Sequence, residues 1–282
     1  ICYHGVMDMC RNRKLAGDLY AAQQEEYPVL ELSSSMDIGE HPAGLIGDIY
    51  AITNADSVRM FKNDRFVAEF TGSPYENMPH GPILIDDFVG NQLVEDGAVP
   101  EYAAPTVKEI LLAANRYGLQ TLPQEILEQM QQCEEQFGIT ETDLMALYGR
   151  YIGNWGQKVT RYRFEAIKDG KVVSVITRQP MKQVQLRLNP SHTNLTERHT
   201  YDVAAVRIEA RSDSGNLLPF YQEPVQLTVT GDIALIGPSL ISLKGGMGGT
   251  YVKSLGREGQ GALTVSAPGA PDVIIDFQVS LN

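Results

Sequence analysis

The sequence predicts a mainly β protein of two β-sandwiches, with three helices inserted into the first and one more helix near the start of the chain. Three observations carry that reading. In residues 47–72, GDIYAITNADSVRMFKNDRFVAEFTG, Ile49, Ala51 and Thr53, then Val58, Met60 and Phe66, alternate with outward positions. That is the two-residue period of half-buried strands. Asn54-Ala55-Asp56 and Asn63-Asp64 sit between these runs, where tight turns need residues that tolerate unusual backbone angles. Further on, Lys168-Asp169-Gly170 separates the alternating runs 160–167 and 171–177, and Asp-Gly in that place is a strong hairpin signal.

Taken in order, residues 1–26 read as a loop and then a helix. Asn12 can cap it, Leu15, Leu19 and Ala22 share one face at helical spacing, and Pro28 stops it. Strand signals run from residue 29 to residue 70. Residues 74–105 are irregular, rich in Pro, Gly and Asp. Three helices follow, each with a start signal. Thr106-x-x-Glu109 is a capping box before Val107, Ile110, Leu111 and Ala114, and Gly118 closes that helix. Thr121-x-x-Gln124, with Pro123, opens the second, and Thr140-x-x-Asp143 opens the third. The hairpin about Asp169-Gly170 then completes the sandwich begun at residue 29, because the strands before the insertion are too few to close a core alone. Excising the helices and joining Ser73 to Gln157 is therefore expected to leave a sandwich that unfolds cooperatively.

A second all-β stretch fills the last hundred residues. Val203, Ala205 and Ile208 alternate with a break that suggests a bulge, and residues 225–229 alternate cleanly. Strands are also expected at residues 251–254, 262–267 and 273–279.

Composition narrows the function classes. The chain has 282 residues, enough for about two domains with cores of their own. Its 23 Lys and Arg stand against 35 Asp and Glu, a net charge of -12. Such a surface repels phosphate backbones and anionic lipid, so neither nucleic acid nor membrane is expected as a partner. Cys2, Cys10 and Cys133 form no C-x-x-C spacing and point to a reducing, cytoplasmic setting with free thiols. The chain begins with Ile1 rather than Met, so a preceding segment is expected.

The phrasing of residues 47–72 resembles the immunoglobulin-like domain that follows the catalytic barrel in β-galactosidase-like enzymes of glycoside hydrolase family 2. Gly5-Val6-Met7-Asp8-Met9, followed by Arg13-Lys14-Leu15-Ala16, is similar to the segment that closes the family's (β/α)8 barrel. Leu218-Pro219-Phe220-Tyr221 and the strands around KGGMGGTY at residues 244–251 resemble the family's C-terminal immunoglobulin-like domain. The resemblance implies residues 1–26 as the end of the barrel, 27–75 and 157–180 as one immunoglobulin-like sandwich, 76–156 as a helical insertion and 181–282 as a second sandwich. The function it implies is the non-catalytic C-terminal portion of a retaining β-glycosidase, supporting the barrel of its own parent chain. The alternative is a stand-alone carbohydrate-binding or adhesive tandem of such domains.

Retaining glycosidases need two carboxyl groups about 5–5.5 Å apart. In the family these stand on barrel strands before anything resembling residues 1–26, and their motifs do not occur here. No catalytic, cofactor-binding or metal-binding residue is expected in this chain, and no cofactor. Glu25-Glu26, Asp86-Asp87 and Glu134-Glu135 are adjacent pairs whose members point apart on a regular element, which suits solvated surface. His4, His41, His80, His192 and His199 lack metal-ligand spacing, with His4 keeping a chance of lining a sugar site. KGGMGGTY lacks the order of a phosphate loop and suits tight turns and a close strand approach. Trp155 could stack on a sugar but sits on an aromatic stripe at helical spacing, which favours packing. Asn194-Leu195-Thr196 fits a glycosylation triplet and is assigned no role.

Overall fold

Between residues 18 and 180 the strands of the computed structural model fall into two antiparallel sheets; the structure describes residues 4–36, 46–73, 75–153 and 160–282. The first sheet joins β1 (Leu30–Leu32), β2 (Ile49–Thr53) and a later strand, β5 (Ile83–Ile85), in the order β1-β2-β5. The second takes β3 (Ser57–Lys62), β4 (Arg65–Thr71), β6 (Tyr162–Lys168) and β7 (Lys171–Arg178) in the order β4-β3-β6-β7. Turn chemistry is as read: Asn63 and Asp64, then Asp169 and Gly170, have positive φ. Asn54 does more than turn the chain. Its Oδ1 accepts from the Val29 amide at 2.9 Å and its Nδ2 donates to the carbonyls of Gln24 and Tyr27, pinning the approach to β1.

Two expectations fail in this region. Phe66 does not face the core: it is exposed and meets the ring of Phe61 edge-on at 5.7 Å, while Val58, Met60 and Val67 point inward. A register shift between Met60 and Phe61 displaces the simple alternation. Residues 74–105, read as irregular, hold β5, which pairs with β2, and the short helix α2.

Near the chain start lies α1 (Leu15–Ala21); α2 (Gln92–Glu95), α3 (Ala104–Tyr117), α4 (Gln124–Phe137) and α5 (Glu141–Tyr151) follow β5. Of the three helix starts expected from capping boxes, one forms. Thr140 and Asp143 exchange both bonds at the head of α5. Helix α3 begins two residues before Thr106, and α4 begins after Pro123 without a side-chain cap. Thr121 instead gives its hydroxyl proton to the Tyr117 carbonyl. Gly118 closes α3 at φ 83° as expected.

One continuous core serves the strands and the helices together, running from Leu30, Ile49 and Met60 through Phe88 and Leu93 to Ile110, Leu144 and Tyr151. Gly90 marks how closely the turn before α2 lies on β4: at φ 58°, a Cβ there would stand 2.3 Å from the Val67 carbonyl oxygen.

The other compact unit holds Met181–Asn282 together with Ile1–Gly17, so the boundary between the units falls inside α1. Its strands are β8 (Val184–Pro190), β9 (Asn194–Glu197), β10 (Val203–Ser212), β11 (Pro224–Gly231), β12 (Ile233–Ile236), β13 (Leu240–Ser242), β14 (Met247–Ser254), β15 (Gly259–Ser266) and β16 (Val273–Leu281). They make a sheet β12-β14-β10-β8 and a sheet β13-β11-β15-β16-β9, around a shared core that includes Leu195, Val206, Ile208, Leu227, Val252 and Phe277. The break read into β10 is absent. Ala204, Val206, Ile208, Ala210 and Ser212 face inward without interruption. The small inward alanines had disguised the phase.

Residues 4–14 are seated in this unit, and the glycine-rich run 244–251 is their seat. Asp8 organises the loop: its carboxylate accepts from the amides of Cys10 and Asn12 and from the Asn12 side chain, all at 2.8 Å. Asn12 does not cap α1, because its buried side chain donates to Asp8 and to the Gly248 carbonyl at 3.1 Å. A Cβ on Gly249 would stand 2.9 Å from the Cβ and Sγ of Cys10. Leu15 is largely exposed, whereas Leu19 packs in a small cluster with Ala22, Val29 and Ile52.

Two outcomes are expected. Gly249→Ala should destabilise the chain by about 1–3 kcal/mol through overpacking. Cys10→Gly should recover about 1 kcal/mol of that in a double-mutant cycle read by chemical denaturation, and strictly additive effects would mean the loop is not seated there. Joining Ser73 to Gln157 should now abolish cooperative unfolding, contrary to the expectation from sequence. The excision removes Ile83, Ile85, Phe88, Val89 and Leu93 from the core. Their burial is worth on the order of 10 kcal/mol, comparable to a whole domain's stability.

Candidate functional site

Where β5 ends, the chain delivers Asp86 and Asp87 to the flank of α3. Asp87 Oδ1 accepts from the amides of Val89 at 3.0 Å and Gly90 at 2.8 Å, which fixes the turn. Its other oxygen pairs with Lys108 Nζ at 2.5 Å. One turn apart on α3, Lys108, Leu112 and Arg116 share a face. Arg116 pairs with Asp48 at 2.9 Å and reaches Asp86 at 3.9 Å. Pro123, Glu125 and Ile126 form the opposite wall at the start of α4. These residues line a groove of about 520 Å³, within the range of small-ligand sites. It has an aliphatic floor and a charged rim. Sequence reading found Asp86-Asp87 only as an adjacent pair. That β5 carries the pair to α3 is a tertiary fact with no local signal.

The other candidates scatter. Glu25 pairs with Lys168 and, at 2.5 Å, with His80 Nε2. The bond from Lys168, then that from His80, holds its carboxyl below the usual carboxylate range. Glu26 is exposed. On α4, Glu134 and Glu135 are exposed, the latter accepting from Gln131 at 2.9 Å. His4 and His199 are exposed. Cys2, His41 and Trp155 lie outside the described residues. His192 meets Ser191 Oγ at 3.0 Å and Asp202 at 3.3 Å, and that hydroxyl also accepts from the Ala205 amide, so the trio ties the end of β8 to β10. Asn194, exposed at the start of β9, pairs in register with Gln278. Among the described residues no group of three or more His, Cys, Asp or Glu could hold a metal ion.

No family model matches the chain. A β-galactosidase of Rhizobium radiobacter is 33% identical over 128 residues, which are 43% of this chain and 86% of that relative. The chain belongs to the β-galactosidase family. A β-galactosidase of Thermoanaerobacterium thermosulfurigenes is 26% identical over 251 residues, 87% of this chain and 27% of the relative. This chain therefore spans about a quarter of that longer β-galactosidase. In fold it is similar to a β-glycosidase from Bacteroides vulgatus, with a TM-score of 0.58 at 15% identity, over 98% of this chain and 28% of that one. A family 2 glycosyl hydrolase from Bacteroides cellulosilyticus aligns with a TM-score of 0.56 at 12% identity, over 98% of this chain and 31% of that one.

Within this β-galactosidase-family chain, perturbed groups gather where α5 meets the sheet. Asp96 accepts from Arg65 at 2.8 Å, Arg150 at 3.1 Å and the Tyr151 hydroxyl at 2.9 Å. Burial first, and then the bond to Asp96, push Tyr151 up to about 12. Lys62 donates to the Tyr151 carbonyl at 2.5 Å, and its burial pulls it down to about 8. A cation at the end of a helix, bonded to a last-turn carbonyl, is a structural use of lysine.

The sign follows from the shift. The folded pKa lies below the unfolded value of 10.5, so burying the charged Lys62 costs stability below pH 8. That penalty is relieved as pH rises from about 8 to 10.5. The wild-type chain should therefore gain about 3 kcal/mol over that window relative to Lys62→Met, measured by denaturation at each pH. Parallel pH profiles would show that Lys62 is not buried as a cation.

Proposed function

We propose that the chain is the C-terminal, non-catalytic portion of a retaining β-glycosidase of β-galactosidase type. The observation that carries this reading is coverage. Most of the chain, 87% and 92%, aligns with only 27% and 28% of two longer β-galactosidases. The rest of such an enzyme holds far more sequence than this chain does.

In this reading residues 1–26 are the end of the catalytic barrel. Residues 27–75 and 157–180, with β5 added, make an immunoglobulin-like sandwich. Residues 181–282 make a second one, and the helices α2 to α5 are an insertion into the first. The seating of residues 4–14 on β14 supports a bracing role for the C-terminal unit, since that unit then holds the segment that leads out of the barrel. The partner is the barrel of the same parent chain, and the substrate a terminal β-glycoside.

The chemistry assigned to the parent is the two-carboxylate mechanism, in which one group protonates the leaving oxygen and the other attacks the anomeric carbon. The carboxylates of Asp87, beside Lys108, and of Glu25, beside Lys168, serve as ion pairs. A general acid must instead hold a proton near neutral pH.

The isolated chain should accordingly release no nitrophenol from nitrophenyl β-galactoside above buffer. The chain expressed together with its preceding coding sequence should do so. Turnover by the isolated chain that disappears with one Asp or Glu substitution would overturn the reading.

A further inference from the structure

We infer that the groove between the end of β5, α3 and the start of α4 binds a neutral saccharide of one or two rings. The inference deepens the glycosidase reading and rests on it for the ligand class. It gives the inserted helices a role, which the family assignment leaves open.

The lining matches a sugar on both of its chemical faces. Leu112 is half-buried and Ile126 nearly fully buried, and with Pro105 they form an apolar floor for the C–H faces of a pyranose. Tyr117 stands at the groove with 46% of its surface exposed, a flat amphipathic ring of the kind on which sugars stack. Around that floor, donors and acceptors alternate. Lys108 and Arg116 donate, already oriented by Asp87 and Asp48, so a ligand hydroxyl meets groups whose rotamers are set before binding. Glu109 and Glu125 are exposed, line the same groove, and make no hydrogen bond or ion pair among the described residues. Their acceptor oxygens are open to ligand hydroxyls.

Charge decides against the other ligand classes. Asp86, Asp87, Glu109 and Glu125 set four negative charges against the two positive charges of Lys108 and Arg116, leaving -2. Phosphates, sulfates and uronic acids are repelled by that balance. A cationic peptide is the rival occupant, but it would have to lie against Lys108 and Arg116 as well. A neutral polyol uses both signs and is penalised by neither.

The test is direct binding to the intact chain, with no hydrolysis in the readout. Galactose, lactose and cellobiose, and separately an oligolysine peptide, are titrated and followed by amide chemical shifts and calorimetry at low and high salt. We expect at least one of the sugars to saturate, to shift amides of α3 and the start of α4, and to bind equally well at both salt concentrations. Glu109→Gln and Tyr117→Ala should each weaken that binding by about tenfold while leaving the thermal transition in place. Failure of all three sugars to saturate would overturn the inference, as would shifts confined to other residues or binding unchanged in both variants. Salt-sensitive binding of oligolysine alone would overturn it in favour of a cationic partner. None of these results touches the glycosidase reading, which stands or falls on turnover by the longer protein.

Discussion

Antiparallel pairing of β3 with β6 is the constraint on which the larger unit depends. Ser57 pairs with Ile167 and Lys62 with Tyr162, so the chain leaves a strand, builds four helices, and returns beside the same strand. Closing so long a loop costs entropy, though the cost grows only slowly with length. Burial offsets it: Val58, Met60, Phe164 and Ala166 are all fully buried across that seam. The returning strand also brings Tyr162 edge-on against Phe88 at 6.5 Å, which locks the segment after β5 onto the sheet. Arg65 adds two ion pairs from the next strand to Glu95 and Asp96, and Lys62 holds the end of α5. The helices are thereby part of the fold's interior and not an appendage.

The groove follows from the same arrangement. Had β5 stayed an irregular loop, Asp86 and Asp87 would have no fixed place relative to α3. Pairing of Ile83 and Ile85 with β2 sets them, and the ion pair of Arg116 with Asp48, just before β2, ties α3 to the same sheet. Exposed ion pairs of this kind contribute little to stability. Their effect here is to hold donors and acceptors in fixed directions around an apolar floor.

Much of this architecture was legible in the sequence, and the parts that were not share a cause. Turns with positive φ at Asn63-Asp64 and Asp169-Gly170, the box at Thr140, and the clean alternation of Val225 and Leu227 are local signals, and each is realised. What failed depended on distant partners. The three residues of β5 are too few for a period to show, and they form a strand because β2 is there to pair with. Thr106 lost its cap because the chain turns helical two residues earlier, at Ala104 and Pro105. Phe66 faces outward because an extra residue, Val67, in its own strand shifts the register against β3. Asn12 looked like a cap, and its true partner, Gly248, is 236 residues away. The family was legible in whole phrases, whereas the groove was not legible at all, since its walls come from three separated stretches.

That last separation has a bearing on how the protein is made. Residues 4–14 are made well before the glycines that seat them, which lie at the start of β14. The strands and helices of Asp18–Pro180 share a core of their own and can close as soon as β7 has emerged. The loop 4–14, with the thiol of Cys10 beside Gly249, must wait for β14. During synthesis residues 4–14 are thus ordered after the unit Asp18–Pro180 that follows them. An interruption between residues 180 and 247 would leave Asp18–Pro180 folded and the loop before it with nowhere to dock.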